Sequence, residues 1–257
     1  MTHSSWFPDP ALIIGASRGI GLALAREVLT RSSDGTVILA SRSALASDEL
    51  SPLVAQYEGR LTRMTMDVTD QASVADTARR LDELSVRPAL VLNAAGLLHD
   101  ADQRLRPEKR LEDLDAEAMQ RVFAVNSIGT ALCLRYFLPL MADEGKAVFA
   151  SISARVGSIG DNRLGGWYSY RASKAALNQL IKTGSIEARR RFENVILTAL
   201  HPGTTDTALS APFQANVPEG KLFTPQFVAQ QLLQVIDGLS IKDSGGFFAW
   251  DGERIPW

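Results

Sequence analysis

Short, nearly unbroken apolar runs alternate along this chain with longer stretches in which apolar residues recur at helical spacing. The runs at residues 11–14, 37–40, 61–66, 89–92, 147–151, 195–200 and 246–249 read as strands. Apolar character without in–out alternation is what a strand covered on both faces requires. Between the runs, Leu24, Val28 and Leu29 mark a first helix. Val122, Leu132 and Phe137 fall in a fourth helical segment, and Leu177, Leu180 and Ile181 mark a fifth. Strand and helix in alternation predict an α/β fold of about seven parallel strands with helices on both faces. No repeat, low-complexity tract or linker divides the chain, so residues 1–257 are expected to form one domain. Two stretches lack periodicity and read as surface loops: 98–110, rich in basic residues, and 204–220, rich in small ones.

Composition excludes several classes. The 46% apolar and 22% charged residues are those of a globular chain long enough to bury a large core. A formal net charge of −2 offers no basic footprint for nucleic acid. Apolar runs such as 11–14 and 137–141 are far too short to cross a bilayer. Met1 to Pro10 lacks the basic start and apolar core of a signal peptide. No membrane association is therefore expected. Cys133 is the single cysteine, which rules out an intrachain disulfide and suits a cytoplasmic location. His3 and His99 stand alone and His201 reads as structural, so no metal site is expected.

Chemistry begins at Gly15-Ala16-Ser17-Arg18-Gly19-Ile20-Gly21, which follows the first strand and opens the first helix. A turn in that place points free backbone N–H groups at whatever sits above it. Glycine lets the backbone approach closely, and the helix N-terminus favours an anionic diphosphate. The spacing is G-x-x-x-G-x-G rather than G-x-G-x-x-G. NAD readers carry an acid at the end of the second strand, which binds the ribose hydroxyls. Here that place reads Ser41-Arg42-Ser43, with no acid before Asp48. Arg42 suits a 2′-phosphate, and Arg18 can approach the same phosphate from the other side. The pair predicts NADP(H) as cofactor.

Tyr168-Ser169-Tyr170-Arg171-Ala172-Ser173-Lys174 starts a long helical segment. Residues four apart share a helix face, so Tyr170 and Lys174 point into one site. A tyrosine titrates near ~10 and is a poor base at neutral pH. A lysine ammonium beside it, with the charge of an oxidised nicotinamide, lowers that value, so the phenol can exchange the proton that accompanies hydride transfer.

The glycine turn, Asn93-Ala94-Ala95-Gly96, Tyr170 to Lys174, and His201-Pro202-Gly203 occur in the order and rough spacing of the short-chain dehydrogenase/reductase family. The chain resembles that family from about residue 11 to its end. The stretch from Gly165 to Leu177 and the ending Trp250 to Trp257 are most similar to its carbonyl-reductase branch of sniffer-type and C-factor-type proteins. The resemblance implies a doubly wound Rossmann fold, with a cofactor half at about 10–150 and a catalytic and substrate half at about 151–257. It implies that Asp67 and Val68 read the adenine and that Asn126 holds a water near the lysine. Asn93 matches a position that joins central strands. Pro202, Gly203 and Thr204 or Thr207 would contact the nicotinamide carboxamide. The family pattern S-S-x-x-G orients the substrate oxygen with its second serine; this chain has Ala154 in that slot and Ser153 one place earlier. A regular strand would turn Ser153 to the opposite face, whereas a bulge would restore it. Ser153 is the expected oxygen-orienting residue, with Ser158 in reserve.

The expected reaction is reversible reduction of a carbonyl to an alcohol, with Tyr170 giving the proton, Lys174 holding the ribose, Ser153 orienting the oxygen and Asn126 supporting a relay water. Trp167, Leu209 and Phe213 suggest an apolar lining. Apolar residues in the fourth and fifth helical segments imply a homodimer or homotetramer, as relatives of this kind form. A second reading, a cofactor-binding signalling or scaffold protein with little turnover, draws on the displaced serine. A nucleotide-binding methyltransferase would leave Tyr170 and Lys174 unexplained.

Overall fold

The computed structural model describes residues 6–102 and 105–257, without the side chain of Asn216. His3 and two residues of the 98–110 loop lie outside the described residues. Seven strands form one sheet in the order β3-β2-β1-β4-β5-β6-β9, every neighbouring pair parallel. They are β1 (Ala11–Ile14), β2 (Val37–Ser41), β3 (Leu61–Thr65), β4 (Leu90–Asn93), β5 (Ala147–Ile152), β6 (Val195–His201) and β9 (Gly246–Ala249). The expected strands are met to within a residue or two, because unbroken apolar runs such as Leu12, Ile13 and Ile14 have no other place to be buried. A two-stranded pair, β7 (Thr204–Thr205) with β8 (Leu222–Phe223), lies in the loop after β6.

Helices cover both faces. α1 (Gly19–Arg31), α2 (Ser51–Gln56) and α7 (Pro225–Gly238) bury Leu24, Val28, Leu53 and Leu232 against one side. α3 (Gln71–Glu83), α5 (Gly129–Phe137) and α6 (Tyr168–Arg191) bury Val74, Leu81, Phe137, Leu177 and Ile181 against the other. Each such side chain stabilises the fold by roughly 1.5–3 kcal/mol of transfer free energy. Strand order reverses between β1 and β4, and that switch point opens a crevice above the carboxyl ends of the strands.

Local caps follow the sequence. Asp70 accepts the N–H of Ala72 to start α3, and Asp115 that of Ala118 to start α4 (Ala116–Phe123). Thr224, followed by Pro225, does the same for α7. The two helices that begin at the crevice differ: Arg18 before α1 and Trp167 before α6 make no such side-chain cap. Between α4 and α5 one helical run widens into a π-turn over Ala124–Ile128. By length and composition alone this run, Ala116–Leu140, is apolar enough to cross a membrane. Its apolar side is instead the face that Val122, Cys133, Leu134 and Phe137 bury against the sheet and α6.

Candidate active site

Tyr170, Lys174 and Asn178 are spaced four apart on α6 and so line one face of it. Tyr170 is 8% exposed and Lys174 2%. The Lys174 ammonium donates to the carbonyl oxygen of Ile152 at 2.8 Å and lies 5.7 Å from the centre of the Tyr170 ring. Burial pushes the Tyr170 phenol up from its ordinary value and brings the Lys174 amine down to about 7. Desolvation penalises the charged form of each.

Ser153, the expected oxygen-orienting residue, has its hydroxyl engaged by α6. Its N–H donates to Leu200 O, which carries the β5–β6 ladder one residue past Ile152 with no bulge. Regular alternation leaves Ser153 on the side of Phe149 and Ser151, facing α6. There its hydroxyl donates to Asn178 Oδ1 at 2.7 Å, with Ser153 2% exposed. The reserve residue, Ser158, is also buried, and its hydroxyl accepts the N–H of Asp161 at 3.1 Å. Ala154 holds the usual slot, half-buried and extended (φ −151°), just before the short turn Arg155–Gly157 that packs on Lys174.

Asn126 sits at the centre of the π-turn, fully buried. Its amide donates to Leu97 O at 2.8 Å and to Ser173 Oγ at 3.0 Å, while its carbonyl accepts the Leu97 N–H at 2.8 Å. It thereby ties the 98–110 loop root to α6 one residue from Lys174. π-turns of this kind recur at functional sites. Asn93 corrects another expectation. It bridges β4 to α5 through Thr130 Oγ1 at 3.1 Å, and to its own turn through the N–H of Ala95, rather than joining strands.

The glycine turn has the form a dinucleotide needs. Gly15 (φ 77°) and Gly19 (φ 56°) are left-handed, and a Cβ on Gly15 would lie 2.7 Å from Ala95 N. A Cβ on Gly21 would lie 2.3 Å from Gly15 O, so α1 can close on β1 only with glycine there. Ser17 and Ile20 complete the turn, half-buried, with the first N–H groups of α1 uncapped by any side chain. Beyond it, Arg18 and Arg42 are exposed and form no ion pair among the described residues. Beside Arg42, the hydroxyl of Ser41 is buried without a partner among the described residues. Val68 is buried against Gly129, and Asp67 accepts from the Thr69 N–H and hydroxyl through one oxygen. Ala94 and Gly96 follow β4 at the crevice, and a Cβ on Gly96 would lie 3.8 Å from both Lys174 Nζ and Asn126 Oδ1. These residues fit a nicotinamide dinucleotide lying across the switch point.

The loop after β6 closes over this crevice. Gly203 (φ 72°) follows the buried Pro202, and a Cβ on it would strike Phe223 at 2.8 Å. Of the two candidate threonines, Thr207 reaches the glycine turn, its methyl 3.4 Å from the Cβ position of Gly19. Thr204 is exposed and pairs with Leu222 instead. Leu209 reaches Gly96. Phe213 packs on Trp167 with ring centres 4.9 Å apart, and Trp167 stands edge-on to Tyr170 at 6.1 Å. The expected apolar lining is therefore assembled. His99 extends it, 5.7 Å from Phe213 and hydrogen-bonded to Ala208 O. His201 Nδ1 accepts the Arg155 N–H at 3.2 Å, and burial holds its value down to about 4, which fits a neutral structural residue.

Asn178, Glu108 and the backbone conformation of Trp167 left little trace in the sequence. Asn178 was within reach of the i, i+4 rule but carries no motif. The left-handed Trp167 (φ 52°) and the buried Glu108 depend on loop geometry that no periodicity encodes.

A seven-stranded parallel sheet with a glycine turn at its switch point and a buried Tyr/Lys pair defines a dinucleotide-dependent oxidoreductase site. The short chain dehydrogenase family model matches residues 9–218. The chain belongs to that family. It is 31% identical over 96% of its length to the 1-hydroxy-2-glutathionyl-2-methyl-3-butene dehydrogenase of Rhodococcus sp. (strain AD45), of which it covers 98%. It is 35% identical to the C-signal of Myxococcus xanthus over 57% of this chain and 83% of that one. The NADPH-bound carbonyl reductase from chicken fatty liver superposes with a TM-score of 0.85 at 27% identity, covering 100% of this chain and 97% of that one.

Proposed function

We propose that this protein is an NADP(H)-dependent oxidoreductase that reversibly reduces a small-molecule carbonyl (an aldehyde, ketone or quinone) to the alcohol. The observation that carries this reading is the buried Tyr170/Lys174 pair on one face of α6, with Trp167 edge-on to Tyr170 and Gly96 beside Lys174. Gly15, Ser17, Gly19, Ile20 and Gly21 hold the diphosphate, Asp67 and Val68 the adenine, and Lys174 the ribose. Pro202, Gly203 and Thr207 border the nicotinamide. The cofactor, when bound, supplies the hydride and, once oxidised, a positive charge. Tyr170 gives its proton to the substrate oxygen. Its raised pKa keeps that proton in place until reaction, and Lys174 stabilises the phenolate left behind. The dry, aromatic enclosure keeps water from competing for it. With Ala154 in the serine slot, Tyr170 is the one side-chain hydroxyl that this reading assigns to the substrate oxygen.

Arg18 and Arg42 assign the 2′-phosphate of NADP(H). NADPH should bind at least about tenfold more tightly than NADH, as a pair of charge-assisted contacts allows. Titration of both cofactors by fluorescence checks this; equal affinities would remove the assignment. The exposed Ile128 and Ile186 support pairing of the α5 and α6 regions into a homodimer or homotetramer. One observation favours the second reading, a cofactor-binding protein with little turnover: the hydroxyl that usually orients the substrate is missing, and Ser153 is engaged by Asn178.

A further inference from the structure

Three consecutive residues before α6 are left-handed: Gly165 (φ 64°), Gly166 (φ 65°) and Trp167 (φ 52°). Glycine takes such angles freely. Tryptophan does not, and a side chain held there persists only where its surroundings over-determine it. Here one residue, Glu108, grips both sides of it. The backbone carbonyl of Glu108 accepts the N–H of Trp167. Its carboxylate accepts the N–H of Ser169 at 3.2 Å and, through the other oxygen, the Ser169 hydroxyl. Glu108 is 6% exposed and forms no ion pair among the described residues. A carboxylate buried without a cation needs such donors, and the first turn of a helix supplies them with a favourable dipole. The grip comes from a loop 61 residues away in sequence, and it closes immediately before Tyr170.

We propose that Glu108 is a positioning residue: by bracketing Trp167 it holds the indole edge-on to Tyr170 and against Phe213, and so shapes the substrate side of the site. The inference rests on the reading of Tyr170 as the proton donor in carbonyl reduction. Glu108 touches neither substrate nor cofactor in this account; it acts through Trp167.

The test is a double-mutant cycle of Glu108→Ala and Trp167→Gly, a glycine being at ease at φ 52°. Glu108→Ala should lower kcat/KM about tenfold, mainly through KM for the carbonyl, with the NADPH Kd within about twofold; misplacement by about 1 Å can cost up to ~10²-fold. In the Trp167→Gly background the same change should add less than about twofold, because its target is gone. Glu108→Gln should retain most activity, since its amide can accept the Ser169 N–H and donate to the Ser169 hydroxyl. Equal losses in both backgrounds would overturn the proposal in favour of a general structural role.

A second readout needs no turnover. With 5-fluorotryptophan at the four tryptophans, the 19F resonance that disappears in Trp167→Gly belongs to Trp167. It should shift or broaden in Glu108→Ala and stay in place in Glu108→Gln. If Glu108→Ala does not fold, Ser169→Ala removes one of the two donors to the Glu108 carboxylate and should shift the same resonance less. An unmoved Trp167 resonance overturns the positioning role. Failure of the unmodified protein to reduce any carbonyl overturns the reductase reading instead, and the two failures are thereby distinct.

Discussion

Replacing Tyr170 by phenylalanine should lower kcat/KM for carbonyl reduction by about 10²- to 10⁴-fold, the range a placed general acid contributes. The substitution removes one hydroxyl and leaves the ring that packs against Trp167. NADPH affinity and thermal stability should therefore change little. The same account fixes the pH dependence. Burial holds the Lys174 amine at about 7, so its charge is present below that pH and lost above it. Since the ammonium stabilises the phenolate formed as the proton leaves, kcat/KM should fall as pH rises through about 7. Steady-state kinetics between pH 5.5 and 9 check both statements. A Tyr170→Phe enzyme within a few-fold of the unmodified one, or a rate that climbs through neutrality, would show that the proton comes from elsewhere.

The serine region yields the other large effect. Restoring a hydroxyl with Ala154→Ser should raise kcat/KM for simple ketones by about tenfold or more, because a single donor to a developing oxyanion is worth roughly 10²- to 10³-fold where it is native. Quinones, already electrophilic, should gain less. Ser153→Ala should behave in the opposite way. It leaves Asn178 Oδ1 without its donor in a site where Asn178 Nδ2 already has no partner among the described residues, so stability should drop by about 1–3 kcal/mol while turnover holds within a few-fold. Denaturant unfolding alongside kinetics separates the two. A loss of ~10²-fold in turnover from Ser153→Ala with stability unchanged would return the oxygen-orienting role to Ser153.

These two residues mark the boundary of what the sequence could disclose. The strands were legible because their apolar runs admit one kind of burial, and the glycine turn because only glycine fits a Cβ-free contact such as that of Gly21 with Gly15. Tyr170 and Lys174 were legible because helix periodicity alone puts them on one face. The direction in which Ser153 points was not. It depends on whether one residue after β5 bulges, and the hydrogen bond from Ser153 N–H to Leu200 O leaves no room for that. Nor could periodicity reveal Asn93 reaching Thr130, Thr207 rather than Thr204 over the glycine turn, or Glu108 bracketing Trp167. Each is a contact between segments whose approach is set by the folded loops.

The proposed function has this chain couple NADPH oxidation to carbonyl reduction through Tyr170. The most direct measurement is NADPH consumption and product analysis by the unmodified protein across a panel of aldehydes, ketones and quinones, with Tyr170→Phe in parallel. At least one carbonyl should be converted to its alcohol in step with NADPH loss, and Tyr170→Phe should abolish most of this turnover. NADPH bound normally by the unmodified protein with no carbonyl in the panel reduced would contradict it.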